Sequence, residues 1–285
     1  MLSPAPSPPL WIDTHCHLDA AEFDADREQI AAAAGAAGVA TMIVPAVGIH
    51  NFIAVEDCCA HFRSLPACLP AYGIHPMYVD DAEEEYLDLL RQWLQEALDD
   101  PRTLRPVAIG EIGLDHYLPD SDPARQEFFF VEQLQLAREL GLPVLLHTRR
   151  AVDAVLKQLR RVFGARSSLP GGVAHAFSGS PQQAEEFLKL GFKLGFGGGM
   201  TWPRATRLRA LAASLPLESI VLETDAPDIP PSFAQASPQF PRPRNEPAWL
   251  PRIAQTLAEL REIPLDRIAT QTRANACSVL NLPIF

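Results

Sequence analysis

The sequence predicts a single closed (β/α)8 barrel of the α/β class, with an extra helix at its C-terminal end. Three observations carry this. Short apolar, β-branched runs alternate with longer amphipathic stretches along the whole chain, the pattern of parallel strands joined by helical crossovers. Eight such units occupy most of the 285 residues, close to the roughly 250 that such a barrel uses. The turn after the first apolar run reads Asp13-Thr14-His15-Cys16-His17. A doubly wound open sheet, the competing architecture, would carry a glycine-rich dinucleotide turn there.

The elements follow in order. Strands are expected over 10–17, 41–47, 68–74, 106–112, 143–147, 172–176, 192–196 and 220–224, each a short apolar run. Helices are expected over 22–37, 51–62, 83–98, 123–140, 151–163, 181–190 and 204–213, with 249–261 and 265–280 after the last strand. Asp122-Pro123 and Ser180-Pro181 read as an N-cap followed by proline at the first helical position. Gly141 and Gly191 read as C-terminal stops. Residues 227–251 hold eight of the chain's 27 prolines, and the long loop after Asp225 is of a length that is usually either functional or disordered.

Composition sets limits. Hydrophobic residues are 47% and charged residues 21%, enough for a large core and incompatible with a mostly disordered chain. No run approaches the ~20 apolar residues of a transmembrane helix, so no membrane partner is expected. Residues 1–9 hold four prolines and neither Lys nor Arg, which suggests a flexible tail rather than a signal peptide, ahead of one catalytic domain over 10–285. The five cysteines form no CxxC pair and are odd in number, so a reducing cytoplasm is expected. A monomer is expected. The net charge of −11 argues against a basic surface that wraps duplex nucleic acid.

The chemistry lies at strand ends. On a strand His15 and His17 share one face and Cys16 takes the other. Two imidazoles so spaced either hold a metal ion or are simply two buried histidines. The rest of the inventory favours the ion, because five of the eight histidines (His15, His17, His75, His147 and His175) fall at C-terminal strand ends, where a barrel gathers its active site. Glu111 and Asp225 occupy equivalent positions among apolar neighbours, where an acid is costly unless paired. The six donors His15, His17, Glu111, His147, His175 and Asp225 are too many for one tetrahedral ion. They suit two divalent ions sharing Glu111 as a bridge, and imidazole-rich donors suit zinc, manganese, cobalt or nickel better than magnesium.

Other residues carry paired readings. Arg149, two beyond His147, is expected to clamp a phosphate or to form a surface ion pair; His75 is expected to contact substrate or support a ligand. Gly197–Gly199 offers backbone amides to a phosphate or is a plain turn. Glu223 orients a ligand or is buried and paired. Asp115 and His116 are expected at the rim or in structural roles, His50 and His61 in solvent, and Cys58 and Cys59 in packing. Arg242 and Arg244 are expected to grip flanking phosphates.

At these residues the sequence resembles the TatD family of metal-dependent hydrolases, within the amidohydrolase-like barrels. The matching segments are Asp13-Thr14-His15-Cys16-His17-Leu18-Asp19, Gly73-Ile74-His75-Pro76, Gly110-Glu111-Ile112-Gly113-Leu114-Asp115, His147-Thr148-Arg149, His175-Ala176-Phe177-Ser178-Gly179 and Glu223-Thr224-Asp225-Ala226-Pro227. The resemblance implies a TIM barrel and a dinuclear site. It places one ion on His15, His17, Glu111 and Asp225, and a second on Glu111, His147 and His175. The activity it implies is a deoxyribonuclease, a 3′–5′ exonuclease on single-stranded DNA, with Asp225 and Glu111 as catalytic residues. Asp228 stands where better-known members have an aromatic residue, and the chain looks closer to the YjjV-like branch. Two alternatives stay open: a hydrolase of a small phosphoester, lactone or amide on the same platform, and a non-catalytic metal-binding protein.

Overall fold

Eight strands form in the expected places: β1 (Trp11–Asp13), β2 (Val39–Pro45), β3 (Ala67–Tyr72), β4 (Ala108–Asp115), β5 (Val144–Arg149), β6 (Gly172–Ala174), β7 (Phe192–Phe196) and β8 (Ile220–Leu222). They pair in parallel and in sequence order. The computed structural model describes residues 9–164, 171–236 and 242–283. The expected tail, 1–9, lies outside these except for Pro9, as does 237–241 of the proline-rich loop.

Among the described residues nine α-helices alternate with or follow the strands: α1 (Arg27–Ala36), α2 (Phe52–His61), α3 (Tyr86–Asp99), α4 (Pro123–Leu140), α5 (Val152–Phe163), α6 (Pro181–Lys189), α7 (Thr206–Ser214), α8 (Leu250–Arg261) and α9 (Leu265–Leu280). The caps explain several boundaries. Asp122 accepts from Ala124 N at 2.9 Å, and Ser180 and Gln183 form a reciprocal capping box. Gly141 ends α4 at φ 65°. One expectation fails at its start: the helix foreseen over 22–37 begins at Arg27, after a 3-10 turn at Ala21–Phe23. Arg27 is the cause, since its guanidinium donates to the carbonyls of Leu18, Asp19 and Ala20 and folds that segment back on the helix.

The core has two shells. Inside the barrel, Ile12, Ile43, Ala71, Ala108, Leu145, Val173 and Val221 meet Ala276, Cys277, Val279 and Leu280 of α9. The extra helix therefore plugs the N-terminal end of the barrel, and Asn275 ties it to Leu217 O and Ile220 O at the start of β8. The outer shell packs alternate strand residues such as Met42, Val44, Val144 and Leu146 under the helices. His147, His175 and Glu223 follow the inward Leu145, Val173 and Val221 by two residues, so the alternation carries them to the open, C-terminal end.

Closure between β8 and β1 rests on little backbone. Thr14 N and Thr14 Oγ1 both donate to Leu222 O at 3.1 Å. The buried Asp13 carboxylate accepts from Thr224 N at 2.9 Å, Thr224 Oγ1 at 2.6 Å and His15 N at 3.2 Å. Removing that acceptor strands donors in a dry seam at about 1–3 kcal/mol each. Asp13→Ala is expected to lower the unfolding free energy by about 3 kcal/mol, and Asp13→Asn by about half as much, read from urea unfolding followed by circular dichroism.

Candidate metal centre

The strand ends deliver five donor residues (His17, Glu111, His147, His175 and Asp225) to the lining of one cavity of about 1020 Å³, with the sixth, His15, buried directly behind them. His15 and His17 lie beyond β1, which is shorter than expected, yet their alternation holds: Cys16 packs in the outer core and the two Nε2 atoms meet at 3.2 Å. Cys16 N donates to Ile43 O and His17 N to Ala226 O, so neighbouring elements fix this segment without a strand. Glu111 lies mid-strand, because β4 continues through Gly113–Asp115 opposite His147–Arg149. A register shift between Ile109 and Ile112 changes the alternation there. Ile112 thereby faces the outer core while Glu111 faces the cavity. Asp225 sits after β8 in the left-handed region, at φ 60°, a conformation that non-glycine residues adopt at positions the surroundings dictate.

Two clusters share the Glu111 carboxylate. Its Oε2 lies 3.1 Å from His15 Nε2 and 3.7 Å from His17 Nε2. Asp225 Oδ1 lies 3.7 Å from each of the same two nitrogens and 3.5 Å from His175 Nε2. On the other side, Glu111 Oε1 lies 3.0 Å from His147 Nδ1 and 3.6 Å from His75 Nε2. His147 and His175 thus enter different clusters: His147 groups with Glu111 and His75, His175 with His15 and Asp225, its ring stacked on His15 at 3.7 Å.

The first cluster fits a metal ion. Ligand bonds of 2.0–2.2 Å in tetrahedral array put donors about 3.4 Å apart. The Nε2 atoms of His15 and His17 stand 3.1–3.7 Å from each other and from the facing oxygens of Glu111 and Asp225. At most one proton fits between two imidazole nitrogens 3.2 Å apart, so this convergence of lone pairs calls for a cation.

Supporting groups set orientation and charge. Burial alone would lower the pKa of His147, but Asp115 on Nε2 at 3.0 Å and Glu111 on Nδ1 raise it to about 9. Burial would raise Glu111 and Asp225, yet the imidazoles around them hold both below the usual carboxylate range. Burial keeps His75 low. Its Nδ1 accepts from Met77 N at 3.1 Å, so the neutral ring carries its proton on Nε2, toward the cavity. Glu223, buried, lies 3.0 Å from His175 Nδ1 and accepts from Ala176 N at 2.6 Å. A Cβ on Gly195 would overlap its carboxylate, which is why β7 has glycine there.

Several residues depart from expectation. Asp115, expected at the rim or in a structural role, takes the second: it is buried and holds His147, four residues beyond Glu111 on the same face of β4. Gln126 and Gln133 of α4 went unnoticed in the sequence. Gln133 bonds both N and O of Ile74, and Gln126 both N and O of Asp115, so two amides finish the strand ends that carry His75 and Asp115. Arg244 is no phosphate grip: it is buried, pairs with Asp26, donates to Glu22 O and lies over Phe23 at 4.7 Å. Gly198 makes room for the loop, since a Cβ there would strike Ile229 O. Arg149 lines the cavity half-exposed, 3.9 Å from Asp115, and Arg242 is exposed. His50 and His61 are exposed, and Cys58 and Cys59 are packed in the core.

A parallel (β/α)8 barrel with these donors on its C-terminal face belongs to the metal-dependent hydrolases. The model of the TatD-related DNase family matches residues 12–281, and the chain belongs to that family. It is 41% identical over 273 residues to the uncharacterized metal-dependent hydrolase YjjV of Escherichia coli strain K12, covering 96% of this chain and 98% of that one. It is 37% identical over 265 residues to the 3′-5′ ssDNA/RNA exonuclease TatD of Cronobacter sakazakii, covering 93% and 95%. The crystal structure of the Escherichia coli YjjV protein superposes with a TM-score of 0.85 at 40% identity, over 96% and 98% of the two chains. No helix among the described residues is long and apolar enough to cross a membrane.

A carboxylate behind a ligating imidazole typically governs about 10–100-fold in metal affinity. Asp115→Asn is expected to weaken divalent-ion affinity by about that factor while leaving the circular dichroism spectrum unchanged, measured by competition with a chelating dye.

Proposed function

We propose that the chain is a divalent-metal-dependent phosphodiesterase that trims single-stranded DNA from its 3′ end, acting as a monomer. The observation that carries this reading is Glu111, whose two oxygens face two donor clusters in one cavity. One ion would be held by His15, His17, Glu111 and Asp225, and a second by Glu111 and His147, with His175 joining it from its present place beside His15 and Asp225. The 3′-5′ exonuclease name of the Cronobacter sakazakii relative supports the substrate class. The net charge of −11 supports a strand that enters a local site over a duplex that wraps the surface.

Two divalent ions at these positions, magnesium, manganese or zinc, would supply Lewis acidity and lower the pKa of a water molecule toward neutrality. The chain's own groups do the rest. Asp225 turns Oδ1 toward the imidazoles, and no described residue bonds its Oδ2, which is free to take the proton of an attacking water. Arg149 faces the cavity and offers two parallel N–H bonds to the phosphoryl oxygens. His75 presents Nε2–H as a donor to substrate. Burial of His15, Glu111 and His175 excludes water and strengthens each of these interactions.

The test is hydrolysis of 5′-labelled single-stranded DNA by metal-stripped protein, with each ion added back. Shortening from the 3′ end is expected only with metal, and Asp225→Asn is expected to reduce it by about 10²–10⁴-fold. Arg149→Ala is expected to raise KM more than it lowers kcat. Metal-loaded protein that leaves DNA intact but hydrolyses a lactone, amide or small phosphoester would replace this reading.

A further inference from the structure

Beside the cavity, Arg149 at the end of β5 and Arg150 directly after it both stack on one tyrosine. The guanidinium carbon of Arg149 lies 3.8 Å from the Tyr117 ring centroid and that of Arg150 lies 4.5 Å away. The pair is built, not incidental. Arg150 takes φ 56°, in the left-handed region, directly after the strand. Tyr117 N donates to Asp115 Oδ1 at 2.9 Å, and His116 N donates to Arg149 O at 2.9 Å, so the strand ends of β4 and β5 hold the ring against both arginines. The first turn of α5 begins at once behind them, and its N-cap, Ala151, supplies no side-chain acceptor.

The charge arrangement is incomplete. Two cations share one aromatic face or its surroundings, at 48% exposure of Tyr117, and among the described residues neither arginine donates a hydrogen bond to a carboxylate. Arg149 reaches only to 3.9 Å from Asp115, and Arg150 forms no ion pair with a described residue. Stacking on a ring leaves the N–H edge of a guanidinium open to a phosphate. Arg149 lines the cavity, whereas Arg150 and Tyr117 lie outside its lining. The positive track therefore leads from the reacting centre outward.

We infer that Arg150 and Tyr117 form an outer subsite for a backbone phosphate of the substrate beyond the one that is cleaved. The inference rests on the proposed phosphodiesterase reading and deepens it: the preferred substrate is a polyanionic strand that leaves the cavity past Tyr117, not a compact phosphoester. The aromatic edge tolerates any base, so the subsite reads the backbone and not the sequence.

The test is binding, independent of turnover. A short, fluorescein-labelled phosphorothioate single strand keeps its charge and resists hydrolysis. Its dissociation constant is measured by anisotropy with the metal-loaded protein over a range of salt concentrations. Arg150→Ala is expected to weaken binding about tenfold and to make the slope of log K against log salt shallower by about 0.7. Arg161→Ala, which removes the same charge from an exposed position near the far end of α5, is the control and is expected to change neither. Arg150→Ala matching Arg161→Ala, or weakening without a change of slope, overturns the subsite while leaving the proposed activity standing. Wild-type protein that trims DNA but binds no strand measurably also overturns it. Failure both to bind and to cleave any strand removes the proposed activity with it.

Discussion

A buried carboxylate shared between two groups of imidazoles organises the top of this barrel. Glu111 is almost wholly removed from water, where an unpaired carboxylate would be untenable. Its two oxygens are satisfied from opposite sides, by His15 and His17 on one and by His147 and His75 on the other. The partners come from the ends of three other strands, β1, β3 and β5, so the charge can be paired only when these and β4 stand in their barrel positions. The electrostatics of one residue thereby impose a condition on the whole fold. The same condition makes the strand ends converge on a point where a cation is favourable.

Closure and chemistry use the same seam. Asp13 and Thr14 bind β1 to β8, and their chain neighbours are His15 on one side and, across the seam, Asp225 beside Thr224. Asp225 N donates to His15 O at 2.8 Å, so the backbone that completes the ring also sets the distance between two donors. Loosening at this seam would move both members of the first cluster. The opposite end carries no such burden, because α9 fills it with apolar side chains. Stability at one end and reactivity at the other is the division that barrels of this kind show.

Most of the fold was legible because its signals are local. α4 and α9 match their expected ranges to the residue, where proline, glycine and apolar spacing agree. All six expected donors reach the cavity region, since strand alternation and strand-end position suffice to aim them. What escaped was long-range. The shift in β4 that turns Glu111 inward depends on its pairing with β5. The pairing of Asp115 with His147 joins adjacent strands, and the strand-ending role of Gln126 and Gln133 is set by how α4 docks. Arg244 was misjudged for the same reason: a basic residue in a loop near a phosphate site reads as a ligand until its partner, Asp26 at the start of α1, is seen.

That correction changes what the proline-rich loop does. Arg244 ties its far end to α1, and Asn245 bonds Thr224 O at 2.6 Å and Ile229 O at 3.2 Å beside the site. Nearer the start of the loop, Trp202 holds Pro230 O and Thr201 holds Ser232. The described parts of the loop are thus fastened to the barrel at several points and form a fixed wall of the cavity, with Pro227, Asp228 and Ile229 among its lining. A wall on this side leaves the side of Arg149 and Tyr117 as the cationic approach. Asp228 adds an exposed negative charge to the wall, near Asp225, where it repels phosphate. An acidic protein can in this way still offer an anion a favourable approach, with Arg149 on the cavity lining and Asp228 set against it in the loop wall.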